Sequence, residues 1–249
     1  MKQYEAVIQT MERLGGIATL GDLNREVFKI EDCTWNTKTP FASIRRIVQT
    51  TKGIYKIKPG LYGLESHRKQ LEANGYMVET DKNRGSKAMD EFNHFYYQGI
   101  LLIVGEIEGF DTYVPEQDKN KKFLREGVTL KDLRTLQQIP HFSYEETVKR
   151  ASTVDVIWFN KNKMPSSLFE IEHTTDMQNS LIKFDSLQDF YVRMVIVADK
   201  LRKKEFETKM SYSAFSTLNK HHRVSFLSYE SLIKQYEQKM ESQTFDLIL

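Results

Sequence analysis

Two short apolar runs constrain this chain more than any other feature: Val154-Asp-Val-Ile-Trp-Phe159 and Leu168-Phe-Glu-Ile-Glu-His173. Each has the length and the β-branched and aromatic content of a strand, and a polar Asn/Lys/Pro/Ser stretch joins them. They are expected to face each other as two strands. Three carboxylates interrupt them: Asp155, Glu170 and Glu172. Side chains alternate across a strand, so Glu170 and Glu172 share one face while Phe169 and Ile171 share the other. A hairpin partner brings Asp155 alongside. Acids inside buried-looking strands are costly unless a cation or a strong donor set compensates them. Oxygen-only ligands favour Mg²⁺, or Mn²⁺, over zinc. A dication so held polarises a phosphoryl oxygen and activates water, and a third acid is suited to position or deprotonate that water. The same Glu-x-Glu spacing also describes the solvated face of an edge strand, and spacing alone leaves both readings standing.

The rest of the composition narrows the field. The chain has 249 residues, 40% hydrophobic and 12% aromatic, enough for one large or two modest domains. No apolar run approaches the roughly 18 residues of a membrane span, so no membrane partner is expected. The opening Met-Lys-Gln-Tyr-Glu-Ala lacks the apolar core of a signal peptide. A single cysteine, Cys33, excludes an intrachain disulfide and a thiolate-cluster zinc site, and a reducing cytoplasmic setting is expected. With a net charge of only +2, any affinity for nucleic acid must come from local charge. Such a stretch exists. No acid lies between Asp32 and Glu65, while Lys38, Arg45, Arg46, Lys52, Lys56 and Lys58 do.

Residues 1–65 read as one unit. Tyr4, Val7, Ile8, Met11 and Leu14 recur at helical spacing before Gly15-Gly16. Thr19 is placed to cap a second helix carrying Leu20, Leu23 and Val27. Thr39-Pro40 opens a third, with Phe41, Ile44, Ile47 and Val48 as its buried stripe. The runs 54–58 and 61–64, joined by Pro59-Gly60, read as a β-hairpin. Three helices and a hairpin make a winged helix-turn-helix. On its third helix Arg45, Arg46 and Gln49 lie off the apolar stripe, where a recognition helix presents groups to a major groove. Lys56 and Lys58 are expected on the wing, near phosphates. Thr39-Pro-Phe-Ala-Ser-Ile-Arg-Arg-Ile-Val-Gln49, with Tyr55 and Gly60-Leu-Tyr-Gly-Leu64, resembles winged-helix modules of some restriction enzymes and of HARE-type proteins. Winged helices also mediate protein contacts.

Residues 66–88 are polar and broken by glycine, and read as a linker. A second domain is expected over 89–249. It begins with a long helix carrying Phe92, Phe95, Tyr96, Leu102 and Ile103, followed by a short strand at 111–115 and a basic loop from Lys119 to Arg125. Short helices around Pro140 lead to the strands 154–159 and 168–173. A helix at about 177–190, strands at 191–198 and 224–228, and helices at about 199–209 and 229–241 complete it. The fold class is α/β (α+β), a mixed β-sheet flanked by helices.

Asp155 followed by Glu170-Ile-Glu172 resembles the PD-(D/E)xK nuclease motif, and the helix–strand–strand–helix–strand order around it resembles that superfamily's core. The wider text, Val154–Phe159, Phe169–Thr175 and Met194-Val-Ile-Val-Ala198, is similar to bacterial restriction-endonuclease-like proteins. The resemblance implies Mg²⁺-dependent cleavage of duplex DNA. It makes Asp155 and Glu170 metal ligands and adds Glu172 to the catalytic group. This chain departs from the motif in having Glu172 where lysine is usual and Val154 where proline is. Weaker candidates are Glu145 as a further metal ligand, His94 and Gln98 one turn apart on the long helix, and Gln178, Asn179 and Lys183 as phosphate contacts. Glu146 beside Glu145 is as well explained by a helix start, and His173 points away from Glu172 and reads as structural. His221-His222-Arg223 reads as a phosphate contact or a polar loop. The leading expectation is a restriction-type endonuclease, with one acid cluster per chain implying a homodimer or sequential nicking. The alternatives are a DNA-binding regulator with a degenerate nuclease fold, and a nuclease acting on RNA or branched DNA.

Overall fold

A computed structural model describes residues 1–174 and 176–248, with side chains through Thr244. Thr175, the last residue of one stretch compared above, lies outside the described residues. The chain forms two compact units. The first is residues 1–92 with 124–127 and the C-terminal segment from Ile233, and the second is 93–123 with 128–232. The C-terminal segment therefore groups with the N-terminal residues, whereas its sequence position suggested the second domain.

In the first unit α1 (Gln3–Arg13) buries Ala6, Val7, Thr10 and Met11, the helical face expected from their spacing. Strand β1 (Ile17–Thr19) follows Gly15-Gly16, both at positive φ. Thr19 caps α2 (Leu20–Glu26) by accepting from the Asp22 amide, and the Asp22 carboxylate in turn accepts from the Thr19 backbone. Helix α3 (Pro40–Thr50) starts on its proline and buries Phe41, Ile44 and Val48. Strands β2 (Ile54–Lys58) and β3 (Leu61–Leu64) form the hairpin, and β1 adds to it, giving an antiparallel sheet in the order β1-β3-β2. The sequence reading missed β1 because three residues between a double glycine and a helix cap show no strand period. A short α4 (Arg68–Ala73) follows.

The hairpin corrects one expectation. The β2–β3 register slips between Lys56 and Lys58, so the two lysines do not share a face. Lys56 is exposed, but Lys58 is buried with its ammonium 3.9 Å from the centre of the Phe92 ring. Burial pulls its pKa down to about 7. Lys58 is thus a packing residue here and not a surface phosphate contact.

Helix α5 (Lys87–Ile107) begins in the first unit and passes into the second. There β4 (Asp111–Tyr113), α6 (Leu130–Leu133), α7 (Glu145–Ala151), β5 (Val156–Phe159), β6 (Pro165–Glu172), α8 (Gln178–Asp185), β7 (Arg193–Ala198), α9 (Lys203–Met210), α10 (Ser216–Lys220) and β8 (Val224–Ser228) follow in order. Last comes α11 (Tyr229–Ile248), whose residues from Ile233 belong to the first unit. The five strands form one mixed sheet in the order β4-β5-β6-β7-β8. The β4–β5 and β5–β6 pairs are antiparallel, and β6–β7 and β7–β8 are parallel. Strands this buried on both faces need helices on each side. On one side Leu181 and Phe184 of α8 and Leu218 of α10 join Ile157, Phe159, Leu168, Met194 and Ile196 in one core. On the other, Trp158 packs at a tilt against Phe169 and donates to the Leu101 carbonyl of α5 at 3.0 Å. Gly105 makes that contact fit, because a Cβ there would meet Trp158 Nε1 at 2.5 Å.

In the first unit the segment of α11 from Ile233 lies against α2 and the β2–β3 turn. Tyr236 is fully buried with its hydroxyl 2.9 Å from Thr19 Oγ1. Gly60 has φ +70°, and a Cβ there would meet Ile233 Cγ2 at 2.5 Å. Gly60→Ala is therefore expected to destabilise the protein by about 1–3 kcal/mol, from positive φ and overpacking together. Urea denaturation checks it, and an unchanged midpoint would show that the contact is soft.

Candidate functional site

The amino end of β5 and the carboxyl end of β6 bring the three predicted acids together, at the sheet end where open parallel strands ordinarily take their ligands. Asp155 sits one residue ahead of β5, where its Oδ2 accepts the Ile171 amide at 2.7 Å. A side chain thus substitutes for a strand hydrogen bond, which is why Asp155 is not itself part of the strand. Glu170 and Glu172 both face α8. The Ser180 hydroxyl of α8 bridges the two, within hydrogen-bond distance of Glu170 Oε2 at 2.8 Å and of Glu172 Oε1. Lys183, one turn further on, reaches both oxygens of Glu170, at 2.9 and 2.8 Å, and the Thr153 carbonyl at 3.0 Å.

The long helix supplies the other wall. His94 Nε2 lies 3.7 Å from Asp155 Oδ1. Gln98, wholly buried, donates to the Asp155 carbonyl at 2.9 Å and to Asp118 Oδ2 at 3.1 Å. Ligand atoms of His94, Asp118 and Asp155 all lie within 4.8 Å of one another. Sequence reading named His94, Gln98 and Lys183 only as secondary candidates, and it missed Asp118 and Ser180. Asp118 directly precedes the basic loop Lys119–Arg125, and nothing local marks it. The one available signal was Gln98, a polar residue amid apolar helix positions that needs a buried partner. Glu145 stands exposed in the first turn of α7 and is not among these converging groups, and Gln178 and Asn179 are exposed at the start of α8. His173 is held by Asn93 Nδ2 at 2.7 Å from its Nε2, a structural placement that fits its reading as such.

Electrostatics make the cluster hungry for positive charge. Burial, with Asp118 and Glu172 adding repulsion, pushes Asp155 up to about 7 despite the Ile171 amide and Lys183. Burial and the neighbouring Asp155 push Glu170 up to about 8. Burial disfavours the charged form of Lys183, yet Glu170 outweighs it and holds the ammonium above the usual lysine value. Burial lowers His94, leaving its imidazole neutral and able to ligate. The donor set, carboxylate oxygens with one imidazole, suits a hard or borderline dication. The Oε1 of Gln98 is buried without a hydrogen-bond partner beside it. These residues fit a bound divalent cation on charge, donor type and spacing.

Comparison with known proteins places the chain. It is a restriction-enzyme-like protein. Its residues 76–248 match the family model described as the Type II restriction enzyme NmeDI C-terminal domain, and the chain belongs to that family. The Type II restriction enzyme NmeDI of Neisseria meningitidis serogroup C is 28% identical over 125 residues, covering 46% of this chain. The chain spans 35% of that enzyme's length. No solved structure matches the chain. Among the described residues no helix is long and apolar enough to cross a membrane.

Proposed function

We propose that this protein is a divalent-cation-dependent DNA endonuclease of restriction type, with a PD-(D/E)xK-like core and an N-terminal winged helix-turn-helix that contacts duplex DNA. The observation that carries the reading is the convergence of Asp155, Glu170 and Glu172 with His94 and Asp118 at one sheet end, inside the part of the chain that matches a restriction-enzyme family. Asp155, Glu170 and Asp118, with His94, would hold the ion. When bound, Mg²⁺ or Mn²⁺ supplies Lewis-acid polarisation of a phosphoryl oxygen and a lower pKa for water. Ile171 pins one oxygen of Asp155, so the other is left to face His94. Ser180 fixes the mutual orientation of Glu170 and Glu172. Lys183 returns an ammonium to a cluster whose motif position 172 carries glutamate, and so lowers the repulsion that a third acid adds. Glu172, held in place, is suited to take a proton from the attacking water.

For DNA contact the residues of α3 divide. Arg45 is ion-paired with Glu237 at 3.3 Å and Glu241 at 3.1 Å, both on α11, while Arg46 and Gln49 are exposed. Arg46 and Gln49 are accordingly the base-reading candidates, with Lys56 at a phosphate, and Arg45 chiefly anchors α11. Arg46→Ala with Gln49→Ala is expected to weaken duplex binding about tenfold, the worth of a bidentate base contact. Equal affinity and equal sequence preference in anisotropy titrations would remove α3 from the interface.

The activity is tested by incubating the protein with a panel of bacteriophage DNAs, methylated and unmethylated, with Mg²⁺ or with EDTA. Discrete fragments in Mg²⁺ alone are expected. Intact DNA throughout, with duplex binding retained, would overturn the reading in favour of a DNA-binding regulator.

A further inference from the structure

The sheet has a second polar end. The parallel strands β6, β7 and β8 all begin there, and a cavity of about 610 Å³ opens at that edge, of a size that holds a nucleotide unit. It is lined by Asn160, Tyr191, Arg193, His221, His222 and Arg223, among others. Its lining residues include no aspartate or glutamate and carry Arg193 and Arg223 with His221 and His222. In a chain of net charge +2 this is a local excess of one sign. Lys163, close by in sequence, is spoken for by Asp111 of β4, and Arg193 and Arg223 are the cations that line the cavity.

The side chains that line the cavity are disposed to meet a ligand. Tyr191 is wholly exposed at the cavity wall, its ring open to an incoming group. His222 holds φ +48° as the left-handed residue that ends α10, where the His222 amide donates to the Asn219 carbonyl at 3.0 Å and the Arg223 amide to the Leu218 carbonyl at 3.1 Å, so the turn at the cavity is fixed. The guanidinium groups are braced. Arg193 donates from Nε to Ser167 Oγ at 3.2 Å, and Arg223 donates to the Phe190 carbonyl. Bracing by neutral partners fixes the groups without cancelling their charge.

We propose that this cavity binds a nucleic-acid strand, with Arg193, Arg223, His221 and His222 meeting phosphates and Tyr191 stacking on a base. Aromatic stacking joined to a cationic groove is the chemistry that single strands offer and need. The carboxylate cluster lies four to six residues further along β6, on the order of 13–20 Å at strand rise. The cavity is therefore a contact separate from the candidate active site, and it stands whether or not that site cleaves DNA.

The test uses the full chain carrying Asp155→Asn, in EDTA, with a fluorescein-labelled twelve-nucleotide single strand, its duplex, and inorganic phosphate as probes. Hydrogen exchange should show protection of 190–193 and 219–225 on adding the single strand. Tyr191→Ala should weaken single-strand binding about tenfold. The exposed triple variant Arg193→Ala, His221→Ala, His222→Ala should do the same and reduce the salt slope by about 1, mainly from Arg193. Unchanged protection and affinity would overturn the proposal. So would protection by inorganic phosphate or duplex alone, which would mark a simple anion site or a duplex contact. Loss of cleavage elsewhere in the protein would leave each of these outcomes unaltered.

Discussion

Asp155→Asn is expected to reduce DNA cleavage by on the order of 10³-fold, the effect of losing about 4 kcal/mol of transition-state stabilisation. The substitution isolates charge from shape. An asparagine carbonyl oxygen still accepts the Ile171 amide that Asp155 accepts at 2.7 Å, so the start of β5 keeps its anchor. What disappears is the negative charge facing His94 and Asp118. Duplex affinity measured in EDTA should remain within about twofold of wild type, since the proposed DNA contacts of α3 lie on other residues. Single-turnover cleavage with saturating Mg²⁺ is the measurement. A variant that cuts at wild-type rate would mean that Asp155 is a structural cap only, and that the cation chemistry resides elsewhere.

Stability in EDTA is expected to fall as pH rises from about 6.5 to about 8.5, and Mg²⁺ to restore it. Asp155 and Glu170 hold their protons up to about 7 and about 8 in the folded chain, against ordinary values of 3.8 and 4.5. The folded state therefore binds more protons than the unfolded one across this range, so the stability these groups contribute at low pH is lost as pH climbs through the folded values. The loss begins above the ordinary carboxyl values, and below the ordinary histidine value the lowered pKa of His94 offsets part of it, so the trend is steepest above about 6.5. Lys183 softens the loss by pairing with Glu170. A dication at a hundred times its Kd adds about 2.7 kcal/mol, or roughly 5–10 °C in Tm for a chain of this size. Asp155→Asn should flatten both the pH trend and the Mg²⁺ response. A wild-type Tm that ignores pH and Mg²⁺ alike across this window would contradict a cation site at these residues.

Local patterns in the chain anticipated much of this architecture. The apolar spacing of α1 and α3, the Thr19 cap of α2 and the alternation that puts Glu170 and Glu172 on one face are all written within a few neighbouring residues. Strand β6 begins at Pro165, three residues before its expected start, because pairing with β5 and β7 carries the ladder beyond its apolar centre. Asp118 was invisible for a different reason. It sits in a loop among lysines, and only the fold sets it beside Gln98 and His94, which are 20 and 24 positions away in the chain. Lys58 failed as a surface residue because a one-residue bulge reverses the side on which a strand residue points.

By itself the sequence determined the strand pair with its three costly acids and the helical units before it. These depend on side-chain chemistry and on the periods 2 and 3.6, which are properties of adjacent residues. Only the tertiary structure decided which groups complete the cluster: His94, Gln98 and Asp118 on one side, Ser180 and Lys183 on the other. It also decided that Arg45 faces the acids of α11 and that the basic residues at 193 and 221–223 gather round a cavity. Such choices depend on distance between residues far apart in sequence, and charge interactions at 3 to 5 Å in a dry interior are strong while the chain pattern carries no record of them.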